Sequence, residues 1–274
     1  MAALFKVTGI VIKGHEFGEA DRLVTILSPE QGLLKVVVPG ARKHRSQLRG
    51  RTELLVVNDF LIVKGRSLDR VSQADTITSH AGLSRDFAKL TAGQYLAELV
   101  GYLSVSDAYQ AELYNLFLEH LQRLENIEVT AETRVTEIVA HLTQAIFHLL
   151  AIAGLAPQAQ QCCLTQIAIT PNYTDPRWRI GFSHNLGGIM QLNQSQLTKP
   201  NQRLTALELD CLQQLASPVL PDFINADWSD KQTIFLLETV WLRLERLMRD
   251  YTEHHIEKPI KTATLIDTLA PLAF

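Results

Sequence analysis

The side chains with the most obvious chemical capacity lie in three places. His15, Glu16, Glu19 and Asp21 bring an imidazole and three carboxylates into one short stretch, a set that could hold a divalent ion and polarise a phosphodiester for hydrolysis. Their spacing matches no ligand frame, and a polar hairpin loop accounts for them as well. Cys162 and Cys163 open a turn-rich stretch in which a structural zinc would need four thiolate or imidazole ligands, usually as two C-x2-C-like pairs. These two are adjacent, Cys211 falls in a helical pattern, and the later hairpin HNLGGIMQLN offers only His184. No metal is expected. His141 and His148 can share a helix face, where a capped or partly exposed histidine is the ordinary case. His254 and His255 suit the negative end of a helix dipole.

The third place is cationic. From Gln31 to Thr52 there is no acidic residue, yet the stretch holds Lys35, Arg42, Lys43, Arg45, Arg49 and Arg51. Residues 1–80 carry twelve basic against eight acidic side chains, a net +4, whereas the remainder carries fourteen against twenty-one, a net −7. The whole chain at −3 hides this asymmetry. Concentrated positive charge repels itself in the free protein and is relieved by replacing the counterions condensed on a nucleic-acid backbone. Solvated surface is the competing explanation for any such run. Lys13 and Arg22 extend the set onto neighbouring surface. No Walker A loop, G-x-G-x-x-G, nucleophile elbow or H-E-x-x-H is present, so the chain is expected not to be an enzyme.

These residues need a scaffold, and 274 residues at 46% hydrophobic content provide for about two domains. Val7 to Ile12, Leu23 to Leu27, Leu33 to Val38, Leu54 to Val63 and Leu68 to Thr78 read as five strands separated by Gly- and Pro-marked turns. Five short strands in about 80 residues predict a small closed barrel, with the OB fold favoured and an SH3-like barrel left open by periodicity alone. Past Ser79 the period changes to that of helices. One helix carries Phe87, Leu90, Tyr95, Leu96 and Leu99, the next is expected to start at Ser106-Asp107, and a third runs from about Ala131 to Ala153. The last, from about Ser229 to Ile256, places Leu237, Trp241, Leu244 and Met248 inward and Arg243, Arg246 and Arg249 on the opposite surface.

The expected class is therefore α+β, with a barrel domain over 1–79 and a helical bundle over 80–274, interrupted at about 157–200 by a turn-rich insertion. Within that insertion Arg177, Trp178 and Arg179 form a basic-aromatic triplet able to stack on an unpaired base. A strand with Trp178 inside a small core is the competing reading. The barrel has few aromatics, Phe5, Phe17 and Phe60, which favours tracking a backbone over stacking bases. No run reaches the roughly 18 consecutive apolar residues of a membrane span. The opening MAALFKVTGIVIKG, broken by Lys6, reads as a strand rather than a signal, and three unpatterned cysteines suit a reducing cytoplasm.

The string TGIVIKGHEFGEADRLVTILSPEQGLLKVVVPGARKHRS, from Thr8 to Ser46, resembles the amino-terminal region of the RecO family of bacterial recombination mediators. The residues that carry the likeness are Gly9 and Val11, then Glu19, Asp21, Arg22 and Leu23 in an acidic hairpin, then Gly40, Ala41, Arg42 and Lys43. It continues in QYLAELV at Gln94 to Val100 and, more loosely, in HHIEKPIKT at the end of the last helix. The resemblance implies an OB-fold domain followed by a helical domain with a zinc-finger-like insertion. It also implies binding of single- and double-stranded DNA, ATP-independent annealing, and work with RecR to load RecA onto DNA covered by single-stranded-DNA-binding protein, RecF being a further candidate partner. This sequence departs from the family at the insertion. Where some members carry two C-x2-C pairs, it has Cys162 with Thr165, and Gln191 with Gln194, which implies a metal-free remnant. The family further implies that the acidic, apolar tail of single-stranded-DNA-binding protein docks on the helical domain, for which Arg123 and Arg134 are candidate cations. An interaction scaffold whose basic loop meets an acidic protein, and a nuclease built on Glu19 and Asp21, are the competing functions.

Overall fold

Val7, Val11, Val24, Ile26, Val36, Val38, Phe60, Ile62 and Val71 turn to one interior, because every second residue of a strand faces the same way. They come from β1 (Leu4–Phe17), β2 (Asp21–Ser28), β3 (Gly32–Val38), β4 (Val56–Val63) and β5 (Asp69–Ser79). Each such side chain removed from water contributes roughly 1.5–3 kcal/mol. The computed structural model describes residues 3–128, 134–194, 198–220 and 231–269. They divide between two compact units, Met1–Asn126 and Ile127–Phe274.

In the first unit the strands pair in the cycle β1-β2-β3-β5-β4, with β4 returning to β1 to close a barrel. All pairs are antiparallel except β3 with β5, which run parallel through Val36↔Asp69 and Val37↔Arg70. This order and its single parallel pairing separate the OB fold from the SH3-like alternative. Gly9 is needed because β1 runs close over β2 there: an added Cβ would strike the Ile26 side chain and lie 2.7 Å from the Leu27 carbonyl.

Two long helices belong to the same unit. Asp86 caps α2 (Phe87–Leu103) by accepting from the Ala88 and Lys89 N–H groups. Tyr95, Leu96, Leu99 and Val100 are buried as expected, but Phe87, at the first turn, is 57% exposed. The next helix, α3 (Ala111–Asn126), starts later than Ser106-Asp107. The intervening residues bond to the β2–β3 turn instead: Val105 accepts from Leu33 at 3.1 Å, Asp107 donates to Gln31 at 3.0 Å and Gln110 donates to Pro29 at 2.8 Å. Asp107 takes a left-handed φ of 56° in that connection.

The second unit is built on α4 (Arg134–Ile152) packed against α6 (Lys231–Ile256). The stretch Val135–Ile152 is long and apolar enough to cross a bilayer by composition, yet 67% of it is buried within the fold. Residues 131–133 and 229–230, expected to begin these helices, lie outside the described residues. The insertion forms a three-stranded sheet, ordered β7-β6-β8, from β6 (Ile180–Ser183), β7 (Gly188–Met190) and β8 (Gln202–Leu204). It leads into α5 (Ala206–Gln214), begun by a reciprocal capping box between Thr205 and Glu208, and the short α7 (Ala263–Ile266) follows α6.

The arginine surface expected on the last helix is not one surface. Arg249 is buried, gripping Glu245 through two hydrogen bonds of 3.1 and 2.6 Å and Asp267 at 2.9 and 3.0 Å. Arg243 reaches the buried Glu208 at 2.8 Å. A helical wheel shows the Glu245 pair one turn away but not Glu208, which comes from α5, or Asp267, which comes from beyond the end of α6.

Candidate nucleic-acid interface

The basic segment leaves the barrel at the end of β3 and is tied back at once. Gly40, at φ 65°, donates its N–H to Asp21 Oδ1 at 2.8 Å, and Ala41 is fully buried in the barrel core. Arg42 then reaches the tip of the β1–β2 hairpin. Its N–H donates to the Ala20 carbonyl at 2.9 Å, its guanidinium donates to the carbonyls of Gly18 and Glu19 at 3.0 and 3.1 Å, and it pairs with Glu16 at 2.9 Å. The acidic hairpin and the G-A-R-K segment are thus two halves of one anchor. Two carboxylates of the supposed cation cluster, Glu16 and Asp21, are engaged in it.

Past the anchor the chain turns outward. Lys43 donates its N–H to Gly40 at 3.0 Å and Ser46 to Lys43 at 3.0 Å, leaving the side chains of Lys43, His44 and Arg45 exposed. The single turn α1 (Leu48–Arg51) packs Leu48 against the barrel core and exposes Arg49. Arg51 bonds the Ala74 carbonyl and pairs with Asp75 at 3.1 Å, and Arg22 pairs with Glu53 at 2.7 Å. An arginine already beside a carboxylate adds little net positive potential for an incoming phosphate.

The eight residues expected to meet DNA therefore separate. Arg22, Arg42 and Arg51 have carboxylate partners. Among the described residues Lys13, Lys35, Lys43, Arg45 and Arg49 form no ion pair, and all five are exposed. Lys13 pairs in register with Thr25, and Thr25 with Lys35, so two lysines lie in one row across β1, β2 and β3. A cleft of about 450 Å³ is lined by Gly14, His15, Glu16, Arg22, Ala41, Arg42, Arg49 and Glu53. The arrangement offers unneutralised cations around an anchored loop, which suits a phosphate backbone.

Charge of the other sign gathers elsewhere on this unit. A cleft of about 740 Å³ is lined in part by Glu30, Asp59 and Asp75 together with Lys6. Burial, with the negative charges of Glu30 and Asp59, pushes the Tyr114 hydroxyl up to about 12. That cleft would repel a phosphate backbone.

The remaining candidates fare differently. Arg123 is paired with Glu119 one helical turn away, and Arg134 begins α4 with its side chain outside the described residues. His148 bonds the Leu215 carbonyl at 2.7 Å. His254 and His255 join His184 and Tyr251 in a ring cluster, with His184 and His254 centroids 5.6 Å apart. In the insertion, Arg177 and Arg179 are exposed and Trp178 is half-buried, so Trp178 is neither a core residue nor a fully exposed one. It lines a cleft with Gln191 and Asn193 that sequence spacing could not reveal, since these residues come together only through the β6–β7 hairpin.

The zinc-finger-like positions meet without forming a tetrahedron of zinc ligands. Cys162 Sγ accepts from the Gln191 N–H at 3.4 Å, and Thr165 Oγ1 donates to Gln191 Oε1 at 3.5 Å. Burial pushes the Cys162 thiol up, but hydrogen bonds from Thr165, Gln191 and Leu164 outweigh it and hold the thiol below its ordinary value. Gln194's side chain lies outside the described residues. One thiol among three amide or hydroxyl positions does not fit zinc, and among the described residues no three His, Cys, Asp or Glu side chains are placed to hold a metal ion.

Comparison with known proteins covers nearly the whole chain in two parts. Residues 1–80 match the family model described as Recombination protein O N terminal, and residues 84–264 match that described as Recombination protein O C terminal. Three relatives named DNA repair protein RecO are similar along their lengths. That of Gloeothece citriformis is 48% identical over 100% of both chains. That of Trichodesmium erythraeum is 45% identical over 98% of this chain and 95% of its own. That of Synechocystis sp. is 46% identical over 100% of both.

Proposed function

This chain belongs to the RecO family of DNA repair proteins, and from that premise we propose that it is a DNA-binding recombination mediator. It anneals complementary single strands without ATP and, with RecR, loads RecA onto DNA covered by single-stranded-DNA-binding protein. It works in the cytoplasm at the nucleoid. The observation that carries the reading is the set of five cations without an ion pair among the described residues, Lys13, Lys35, Lys43, Arg45 and Arg49, around a loop that Arg42 fixes to the barrel.

Annealing asks for neutralisation of two mutually repelling backbones while base edges stay free to pair. Lysines and arginines on a rigid barrel do that by contacting phosphate alone, with no covalent step. Arg22, Arg42 and Arg51 position the loop, and those five cations touch the strand. The insertion keeps its shape through the Cys162, Thr165 and Gln191 hydrogen bonds and works without metal. The tail of single-stranded-DNA-binding protein docks on the helical domain, with Arg123 available to it only at the expense of its Glu119 pair.

The test is annealing of two complementary labelled oligonucleotides, bare and coated with single-stranded-DNA-binding protein, by the wild type and by a Lys43→Ala, Arg45→Ala, Arg49→Ala variant. The wild type should anneal both without nucleotide, and the variant should be slowed at least tenfold. Equal rates would remove the loop from the mechanism. Binding to an acidic protein without salt-sensitive DNA binding would instead favour an interaction scaffold.

A further inference from the structure

We propose that the cleft beside Trp178 in the insertion holds one unpaired nucleobase of single-stranded DNA. The cleft measures about 360 Å³ and is lined by Ile169, Trp178, Arg179, Ile180, Gln191 and Asn193 among its residues. The proposal takes its ligand from the DNA-binding reading, but its site shares no residue with the basic loop.

Four features select a base. Trp178 is half-buried, and among the described residues its ring faces no other aromatic and its indole N–H meets no acceptor, so both a stacking face and a donor are unspent. Arg179 is held beside it, donating from Nη1 to the carbonyls of Pro176 and Trp178 at 2.9 and 2.7 Å. A guanidinium fixed in this way can lie flat against a ring rather than sweep through solvent. Gln191 is steadied by its N–H to Cys162 and its Oε1 to Thr165, which leaves its amide NH2 to donate. Asn193 adds both a donor and an acceptor. Ile169 and Ile180 add apolar lining, and no carboxylate lines the cleft, so a cation finds no counter-charge there. Exposed Arg177, next along the chain, can take the adjoining phosphate.

This gives the zinc-finger-like positions a structural role. The hydrogen bonds that join Cys162, Thr165 and Gln191 hold one wall of the base cleft. A strand bound here is gripped at one base and leaves its neighbours free to pair. In a duplex the same base is stacked and paired, so the cleft favours single strands.

The experiment compares binding of a fluorescent thymidine oligonucleotide with a tetrahydrofuran abasic strand of equal length and phosphate count. The wild type should prefer the thymidine strand by about tenfold, the contribution of one stacked base. Trp178→Ala should bring that ratio near one without altering the salt dependence of binding, and Trp178→Phe should retain part of it. A wild-type ratio of one, or an unchanged ratio in Trp178→Ala, overturns the proposal. Should Trp178→Ala fail to fold, photocrosslinking of the wild type to a 5-iodouracil strand decides. The adduct should fall on the peptide holding Trp178, and adducts confined to residues 42–49 overturn the pocket. Failure of the cleft with intact salt-dependent binding leaves the proposed function standing, whereas no binding to either strand removes both.

Discussion

Replacing Lys43, Arg45 and Arg49 with alanine while keeping Arg42 separates electrostatic contact from loop architecture. These three side chains are exposed and form no ion pair among the described residues, so their loss should cost the free protein little stability. Each phosphate neutralised on a single strand contributes about 0.7 to the slope of log affinity against log salt, so losing three flattens the slope by about 2. Over a fourfold rise in salt, a slope difference of about 2 narrows the gap between wild type and variant by roughly twentyfold. Fluorescence anisotropy with a labelled single strand over a salt series measures both quantities, and circular dichroism confirms that the variant is folded. A variant that binds more weakly but with the wild-type slope would refute the reasoning, because its lost affinity could not have come from released counterions. A variant with unchanged affinity and slope would move the contact surface elsewhere.

Arg42→Ala should behave differently, losing two carbonyl hydrogen bonds and the Glu16 pair and about 1–2 kcal/mol of stability in urea denaturation, with a smaller change in salt slope than the triple variant. Gly9→Ala should lower the melting temperature, since its Cβ meets Ile26 and the Leu27 carbonyl and such overpacking costs about 1–3 kcal/mol. Arg249→Ala should cost about 3–5 kcal/mol at neutral pH by leaving Glu245 buried without its counter-charge, and urea denaturation of the full chain would show it. Burial holds the His184 imidazole below its ordinary 6.5, with Asp250 acting the other way and His254 and His255 adding to the depression. The unfolded chain then binds more protons as the pH falls below about 6.5, so stability present above that pH is lost on acidification. Melting of the wild type should therefore drop more between neutral and mildly acidic pH than that of His184→Gln, and parallel curves would exclude this histidine as the cause.

The barrel was legible in sequence because its code is local. Period-two runs such as Leu33 to Val38 and turn residues such as Pro39-Gly40 mark strands wherever one face is buried. The start of α3 was not legible, because Ser106-Asp107 carry a cap signal that hydrogen bonds to the β2–β3 turn override. Phe87 misled as well: it fits the helical period, but the first turn buries Ala88 and Lys89 and leaves Phe87 exposed. The cleft beside Trp178 was half legible, its aromatic and cations being neighbours in sequence and its amides being supplied from across a hairpin.

By itself the sequence determined the kinds of interaction available to this protein: an acid-free cationic run, an absence of catalytic motifs, a barrel followed by helices, and the motifs of a DNA repair family. Charge and hydrophobic period are properties of residue order and survive without coordinates. Only the tertiary structure decided which cations are free. Arg22, Arg42 and Arg51 look the same as Lys43, Arg45 and Arg49 in a composition count, yet the first three are bound to Glu53, Glu16 and Asp75. Those partners lie far from them along the chain and close in space, and an ion pair follows from distance in space alone.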